Sequence, residues 1–452
     1  MSSELIDFHA LDGELAELKS ATHWYLGFSG GVDSTVLLHL LTRWRRAHPE
    51  APPLTAIHIN HQMQSASDDW QVHCEWVGKM LGVPVSCHQV TVESGSGGSE
   101  AAAREARYRV FEELLQEGEV LFLGHHLDDQ VETFFLRLLR GAGVQGLAAI
   151  PACRSLGRGR LVRPLMQLTR EQLQAYADSH GLSCIEDPSN RDTAMDRNFL
   201  RAELLPLLAS RWPGYRRTVN RASEHMAVAA SALDELLPAP ETVYSTLGDP
   251  GVALAALDGS REAAAIKLRS WLQASGLPPP DQTALEEFLR QLREAGQDAG
   301  PRLQCSAYTL QRYRDAVFRL PEGEEGLSPQ PVSICPGDIY DVPGVGRLAL
   351  EPTDGPGLAL EEGEALTLFW RRGGERCRPV GRGGSNSLKK LLQEADIPPW
   401  WRERVPLLSS GDELLAVGDL WMCESARYRG GARSGENLWC LHWQRGLEAA
   451  GD

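Results

Sequence analysis

Residues Trp24-Tyr25-Leu26-Gly27-Phe28-Ser29-Gly30-Gly31-Val32-Asp33-Ser34 run from a short apolar stretch into a two-glycine turn, and Thr35-Val36-Leu37-Leu38-His39-Leu40-Leu41 continues with helical apolar spacing. The pattern predicts a strand, a tight turn and a helix start. Such a turn is an anion site, because unpaired N–H groups and the helix dipole point into it. Gly30 and Gly31 allow close backbone approach. Ser29 and Ser34 add hydroxyl donors around Val32, and Asp33 is a candidate to orient the loop or hold magnesium. The spacing is not that of the G-x-x-x-x-G-K phosphate loop, and G-x-G-x-x-G is also absent. P-loop kinases and dinucleotide-binding enzymes are therefore disfavoured.

Working outward, strand-like runs at 24–28, 54–60, 83–92 and 119–123 alternate with helical stretches at 34–47, 67–81, 99–117 and 128–140. This rhythm predicts an α/β fold with a doubly wound parallel sheet and ligands at the carboxyl ends of its strands. Gly95–Ser99 reads as a flexible joint above the site. From Arg216 the pattern turns helical and alanine-rich, at 222–236, 261–275 and 281–295, and a hairpin is expected at 302–320 with Asp315 in its later part. Pro-, Gly- and acid-rich stretches at 322–336 and 351–364 read as linker or loops. The expected division is a nucleotide domain at 1–215, a helical middle domain at 216–325, a linker region at 326–364 and a small α+β domain at 365–445.

Composition narrows the class. The chain of 452 residues is 42% hydrophobic and 23% charged, as globular domains are. Its apolar stretch at 35–41 is too short to cross a bilayer, and the first residues lack the basic start of a secretory signal. Nine cysteines stand singly from Cys74 to Cys440 without a C-x-x-C pair. That spacing argues against a disulfide framework, a zinc ribbon or an iron–sulfur site, and for a reducing cytoplasm. The net charge of −16 conceals two basic islands: residues 133–225 carry 14 basic and 8 acidic groups, and 369–404 carry 9 and 4. Two islands in an acidic protein suggest a directed polyanion site.

The second chemical signal is Gly124-His-His-Leu-Asp-Asp-Gln-Val-Glu-Thr133. It opens a helix whose first turn holds Asp128 and Asp129, with Glu132 four and three residues on, so the carboxylates neighbour one another. Such a set holds magnesium or recognises an amine, and an adjacent histidine moves protons. The spacing does not fit zinc. Further on, Arg197 and Arg201 are four apart and present one basic face, suited to backbone phosphate or to a nearby carboxylate, with phosphate favoured. In the second island Lys389 and Lys390 accompany Arg402, Trp400 and Trp401; the lysines are the stronger phosphate candidates, and the tryptophans fit core or domain contacts.

These segments in this order resemble the tRNA(Ile)-lysidine synthetase family of the PP-loop ATP pyrophosphatase superfamily. The resemblance rests on S-G-G-V-D-S, on Glu100 with Ala103-Arg104 and Ala106-Arg107-Tyr108, and on G-H-H-L-D-D-Q-V-E-T. It extends through Arg137-Leu-Leu-Arg-Gly-Ala-Gly143, Arg163-Pro-Leu165, Glu186-Asp-Pro-Ser-Asn-Arg-Asp192 and Arg197-Asn-Phe-Leu-Arg201. Leu388-Lys-Lys-Leu-Leu-Gln-Glu and Ile397-Pro-Pro-Trp-Trp-Arg complete it near the end.

The resemblance implies an ATP-dependent ligase that joins L-lysine to carbon 2 of the wobble cytidine of CAU-anticodon tRNA(Ile). The route is through an adenylated cytidine, and it releases AMP and pyrophosphate and shifts codon reading from AUG to AUA. On this reading Ser29–Ser34 holds pyrophosphate, and Asp33 and Asp129 are the magnesium candidates. Asp128 or Glu132 meets the lysine ammonium, and Arg137 or Arg140 neutralises the transferring phosphate. Arg197, Arg201, Lys389, Lys390 and Arg402 are the tRNA candidates. The nearest rival, a PP-loop tRNA thiolase, would need a sulfur carrier, and no paired cysteines are present. A noncatalytic tRNA-binding protein is disfavoured by the intact loop and carboxylate motifs.

Overall fold

In the computed structural model, alternation along Trp24–Gly27 (β1) sends Trp24 and Leu26 to one face of a sheet and Tyr25 to the other. The same alternation divides β4 (Val120–Phe122): Val120 and Phe122 join Trp24, and Leu121 faces the opposite core. Both faces are covered, as parallel sheets require. The first core is closed by α1 (Val32–Ala47), α2 (Ser67–Leu81) and α5 (Arg170–Ser179), and the second by Phe111 of α3 (Ser99–Leu114) and by Leu115. The remaining strands are β2 (Leu54–Asn60), β3 (Val85–Gln89), β5 (Cys153–Leu156) and β6 (Gly159–Val162).

The six strands lie in the order β3-β2-β1-β4-β6-β5. All neighbours are parallel except β5, which returns antiparallel against β6. The chain winds outward from β1 to β3 and then crosses back to β4 on the other side of β1. The order therefore reverses between β1 and β4, and a crevice opens there beyond their carboxyl ends.

The structure describes residues 6–62, 67–90, 99–186, 194–296, 299–321, 330–361, 363–432 and 437–445. Residues 95–98 of the expected joint, 187–192 of the Glu186–Asp192 segment and 322–329 of the expected linker lie outside them. The chain divides into two units, Met1–Leu233 and Asp234–Asp452. The long helix Tyr215–Leu236 belongs mainly to the first, packing with α4 (Leu127–Leu139) around Val131, Leu205 and Tyr215.

In the second unit, two helices, Arg261–Ala274 and Gln282–Glu294, cover a five-stranded sheet that includes Tyr308–Tyr313 and Ala316–Pro321. The turn between those strands is at Arg314, with φ of 51°, and Asp315. Two further five-stranded sheets follow. The region 326–364, read from sequence as linker, supplies four of their strands: Val332–Ile334, Ile339–Val342, Gly346–Pro352 and Gly357–Ala359. Short strands punctuated by Pro, Gly and acid give little periodic signal, and what fixes them is pairing with distant partners such as Leu438–Gln444.

Asp249 joins the parts of this unit. Fully buried, it accepts Nε1–H from Trp401 at 2.9 and 3.0 Å and from Trp400 at 3.1 Å. Asp396 makes a second junction: its carboxylate accepts from the Tyr313 hydroxyl at 2.9 Å and pairs with Arg314 at 2.8 Å, and its carbonyl accepts from Thr246 at 2.8 Å.

Candidate active site

The turn after β1 has the conformation its glycines suggested, but only one of them is obligatory. Gly30 has φ of +79°, and a Cβ there would lie 2.6 Å from Ile185 Cδ1 and 3.0 Å from Cys74 Sγ. Gly31 has φ of −70° and caps α1 in an extended conformation that other residues adopt. The Ser34 hydroxyl donates to the Gly31 carbonyl at 3.1 Å and lies 3.1 Å from the Ser29 hydroxyl. Ile185 N–H ties the loop down by donating to the Gly30 carbonyl at 2.9 Å.

The turn after β4 lies against this loop. A Cβ on Gly124 would be 3.1 Å from the backbone carbonyl of Asp33 and 3.2 Å from Ser34 N, so the two segments meet backbone to backbone. Two residues on, the buried His126 places Nε2 3.6 Å from Asp33 Oδ1 and 3.5 Å from Asp129 Oδ2. Asp129 Oδ2 also accepts the His126 backbone N–H at 3.1 Å. Burial alone would lower the His126 pKa, but Asp33, Asp129 and Asp128 outweigh it and raise the value. Asp33 Oδ1 is buried with no hydrogen-bond partner.

The other two carboxylates of the motif have arginine neighbours. Asp128 accepts Arg216 Nε at 2.6 Å and the Arg170 backbone N–H at 2.8 Å. Glu132 is 1% exposed and receives both arms of Arg201, at 2.8 and 2.9 Å, with Arg197 Nε at 3.2 Å. Burial pushes the Glu132 carboxyl up, against the pull of these arginines. Arg201 lies in a π turn, Leu200–Leu204, inserted between short helical segments. Such turns re-aim side chains and recur at functional sites. Two negative charges therefore flank His126 at Asp33 and Asp129, while two arginines surround the single charge of Glu132.

The structure places the other candidates as follows. Arg137 donates to the carbonyls of Gly146 and Ala149 at 2.9 and 2.8 Å, fixing the corner after α4. Arg140 is exposed and pairs with Asp196 at 3.2 Å. In the second unit Lys389 and Lys390 are exposed on the helix Leu388–Glu394, with Lys390 3.7 Å from Glu394. Arg402 points inward, to the Ile397 carbonyl at 2.8 Å and the Tyr313 hydroxyl at 3.3 Å.

Sequence reasoning assigned no role to Arg163. It is buried, and it donates to His125 Nδ1 at 3.1 Å, the Pro151 carbonyl at 2.7 Å and the Tyr108 hydroxyl at 3.4 Å. Burial and the surrounding arginines hold His125 well below the usual histidine range. The available signal was an arginine directly after the apolar strand that ends at Val162, a position that is costly unless its donors are used. Arg216 was likewise unassigned, being invisible as a partner until α4 and the helix at Tyr215 pack together.

The PP-loop domain family matches residues 8–208, the TilS substrate binding domain 253–318 and the TilS substrate C-terminal domain 366–443. The tRNA(Ile)-lysidine synthase of Alkalilimnicola ehrlichii is 44% identical over 425 residues, covering 93% of this chain and 94% of that protein. The protein of the same name from Pseudomonas aeruginosa is 42% identical over 444 residues, covering 95% of each. Among solved structures, a U34-tRNA thiolase from Methanococcus maripaludis covers 48% of this chain and 77% of its own, with TM-score 0.41 and 20% identity.

Proposed function

This chain belongs to the tRNA(Ile)-lysidine synthase family, and on that premise we propose how its own residues divide the work of making lysidine. The enzyme is an ATP-dependent ligase that forms lysidine on tRNA(Ile). Oxygen 2 of the wobble cytidine attacks the α-phosphorus of ATP and pyrophosphate leaves. The neutral ε-amine of lysine then attacks carbon 2, AMP departs with the former ring oxygen, and the amine loses a proton. Adenylation is needed because it turns a poor leaving group into a good one.

The Ser29–Ser34 loop holds the pyrophosphate with its N–H groups and hydroxyls. Asp33 and Asp129 suit magnesium: they face each other across His126, and Asp33 Oδ1 has no hydrogen-bond partner. Among the described residues no set of three or more His, Cys, Asp or Glu side chains is arranged to hold a metal alone. Magnesium would therefore take its other ligands from phosphate and water, as it commonly does, and supply charge neutralisation there. His126 holds the two carboxylates apart.

Glu132 with Arg197 and Arg201 is net positive and draws phosphate, while Asp128 shares its Arg216 with Glu171 and keeps net negative charge. With Asp33 and Asp129 given to magnesium, the lysine ammonium is drawn toward Asp128. The exposed Arg140 suits tRNA phosphate, and so, in the second unit, do Lys389 and Lys390; Arg137 and Arg402 act through the backbone and side chains they brace. The functional partition follows the two units, with 326–364 part of the C-terminal sheets rather than a linker and the second unit gripping tRNA. No helix among the described residues is long and apolar enough to cross a membrane, and a tRNA substrate is in keeping with work in the cytoplasm.

The observation that carries this reading is the meeting of the two motifs at the switch point, with His126 between Asp33 and Asp129. Incubation with CAU-anticodon tRNA(Ile), ATP and radiolabelled lysine tests it. We expect ATP-dependent label on tRNA that resists mild alkali and is lost in Asp33→Ala. Pyrophosphate release without lysine incorporation would overturn the ligase assignment in favour of another nucleophile.

A further inference from the structure

Strand alternation sets Arg154, Leu161 and Arg163 on one face of the β5–β6 hairpin, the face covered by α3, where Tyr108 lies. Four guanidinium groups meet there on a single ring. The Cζ atoms of Arg104, Arg107 and Arg154 stand 5.1, 5.8 and 5.2 Å from the Tyr108 centroid, and Arg163 Nη2 donates to the Tyr108 hydroxyl at 3.4 Å. Among the described residues no carboxylate pairs with Arg104, Arg154 or Arg163. Like charges gathered in this way repel one another, and a bound anion offsets that repulsion.

Arg163 alone has its donors committed to the fold: it is 3% exposed and bonds to the Pro151 carbonyl, His125 and Tyr108. Arg104 and Arg154 are exposed. Stacking engages the flat face of a guanidinium and leaves the N–H groups at its edge for other partners. Arg154 gives one to the Ser155 carbonyl at 3.3 Å, and Arg104 gives none among the described residues. The histidine beside them is a donor as well. Arg163 Nε–H can only donate, so His125 accepts at Nδ1 and carries its proton on Nε2.

We propose that Arg104 and Arg154, stacked on Tyr108 and backed by Arg163, bind a backbone phosphodiester of the tRNA anticodon loop. The proposal rests on the tRNA substrate of the function given above. It separates this phosphate from those of ATP by position. β6 is the second strand from β1, about 10 Å across the sheet, and an ATP held at Ser29–Ser34 keeps its three phosphates together at that loop. A polynucleotide has a phosphate on every residue and reaches both places. Arg158 and Arg160, exposed on the same hairpin, carry the positive surface on toward the sheet edge. Toward the carboxylate row, Arg197, which pairs with Glu132, lies within electrostatic reach of His125. The phosphate therefore sits beside the place where the cytidine reacts.

Equilibrium binding of full-length CAU-anticodon tRNA(Ile) to the whole chain, over a series of salt concentrations, tests the site. Arg104→Ala with Arg154→Ala should weaken binding about tenfold and lower the slope of log Kd against log salt by roughly 1. The melting temperature and the Kd for ATP should not move. Arg104→Lys with Arg154→Lys should keep the slope. A single neutral methylphosphonate, walked through the anticodon loop, should weaken wild-type binding at the contacted position and have no further effect there on the double alanine variant. A double alanine variant with the wild-type affinity and slope would overturn the proposal. So would one that loses ATP affinity instead, which would give the site to the nucleotide, or one whose loss adds to that of every methylphosphonate. A wild-type chain that binds no CAU-anticodon tRNA would defeat the substrate itself, and the proposal with it.

Discussion

At the scale of single residues, conformation separates two glycines that composition treats alike. Gly30 sits at φ +79° beneath Ile185 and Cys74, whereas Gly31 is an ordinary extended cap. Gly30→Ala should cost about 1–3 kcal/mol of stability and raise KM for ATP at least tenfold. Gly31→Ala should cost less than ~1 kcal/mol; paired melting curves and ATP titrations check the contrast. His39 supplies a pH prediction. Burial lowers its pKa to about 4, helped by His180, Arg43 and Arg46, while its Nδ1 lies 2.9 Å from the Tyr176 hydroxyl. The folded chain thus keeps His39 neutral, while the unfolded chain takes up a proton below the ordinary value of 6.5. Its contribution is complete above that value and falls as pH drops toward 4. The urea midpoint should decline over this window, and His39→Gln should flatten the decline.

At the scale of elements, the strands and helices around the loop were legible because their periods are strong. Leu54–Asn60 and Ser67–Leu81 match the expected spans, and α1 begins two residues earlier than read, at Val32. The carboxylate row was legible as a helix start, but its partners were not. Asp128 meets Arg216 across 88 residues, and Glu132 meets Arg201 across 69, so no local pattern could pair them. The Asp128–Arg216 bond fastens α4 to the helix that begins at Tyr215. Asp128→Ala should destabilise the chain by about 2 kcal/mol, because the half-buried Arg216 then keeps only the exposed Glu171, at 3.1 Å, as a carboxylate partner. Adding Arg216→Ala should restore at least ~1 kcal/mol, which a double-mutant cycle in denaturant would read.

At the scale of the whole molecule, the α/β nucleotide fold could be read early because one strand–turn–helix unit specifies much of it. The second unit was harder, because its sheets are closed by residues far apart in sequence. Trp400 and Trp401 fitted domain contacts from sequence, yet nothing there singled out Asp249 as their acceptor. Asp249→Ala leaves both indole N–H groups without that partner, and should cost about 2–4 kcal/mol. Limited proteolysis should then cut within 234–452 while leaving the first unit intact. That single carboxylate also bears on how such chains can be recombined. The segment 366–443 has the outline of an interchangeable part, but its tryptophans have their acceptor more than a hundred residues upstream. A chimaera that imports 366–443 from a relative inherits an unmatched seam, whereas one that imports 234–452 carries both sides of it. The smallest heritable cassette is therefore the entire second unit.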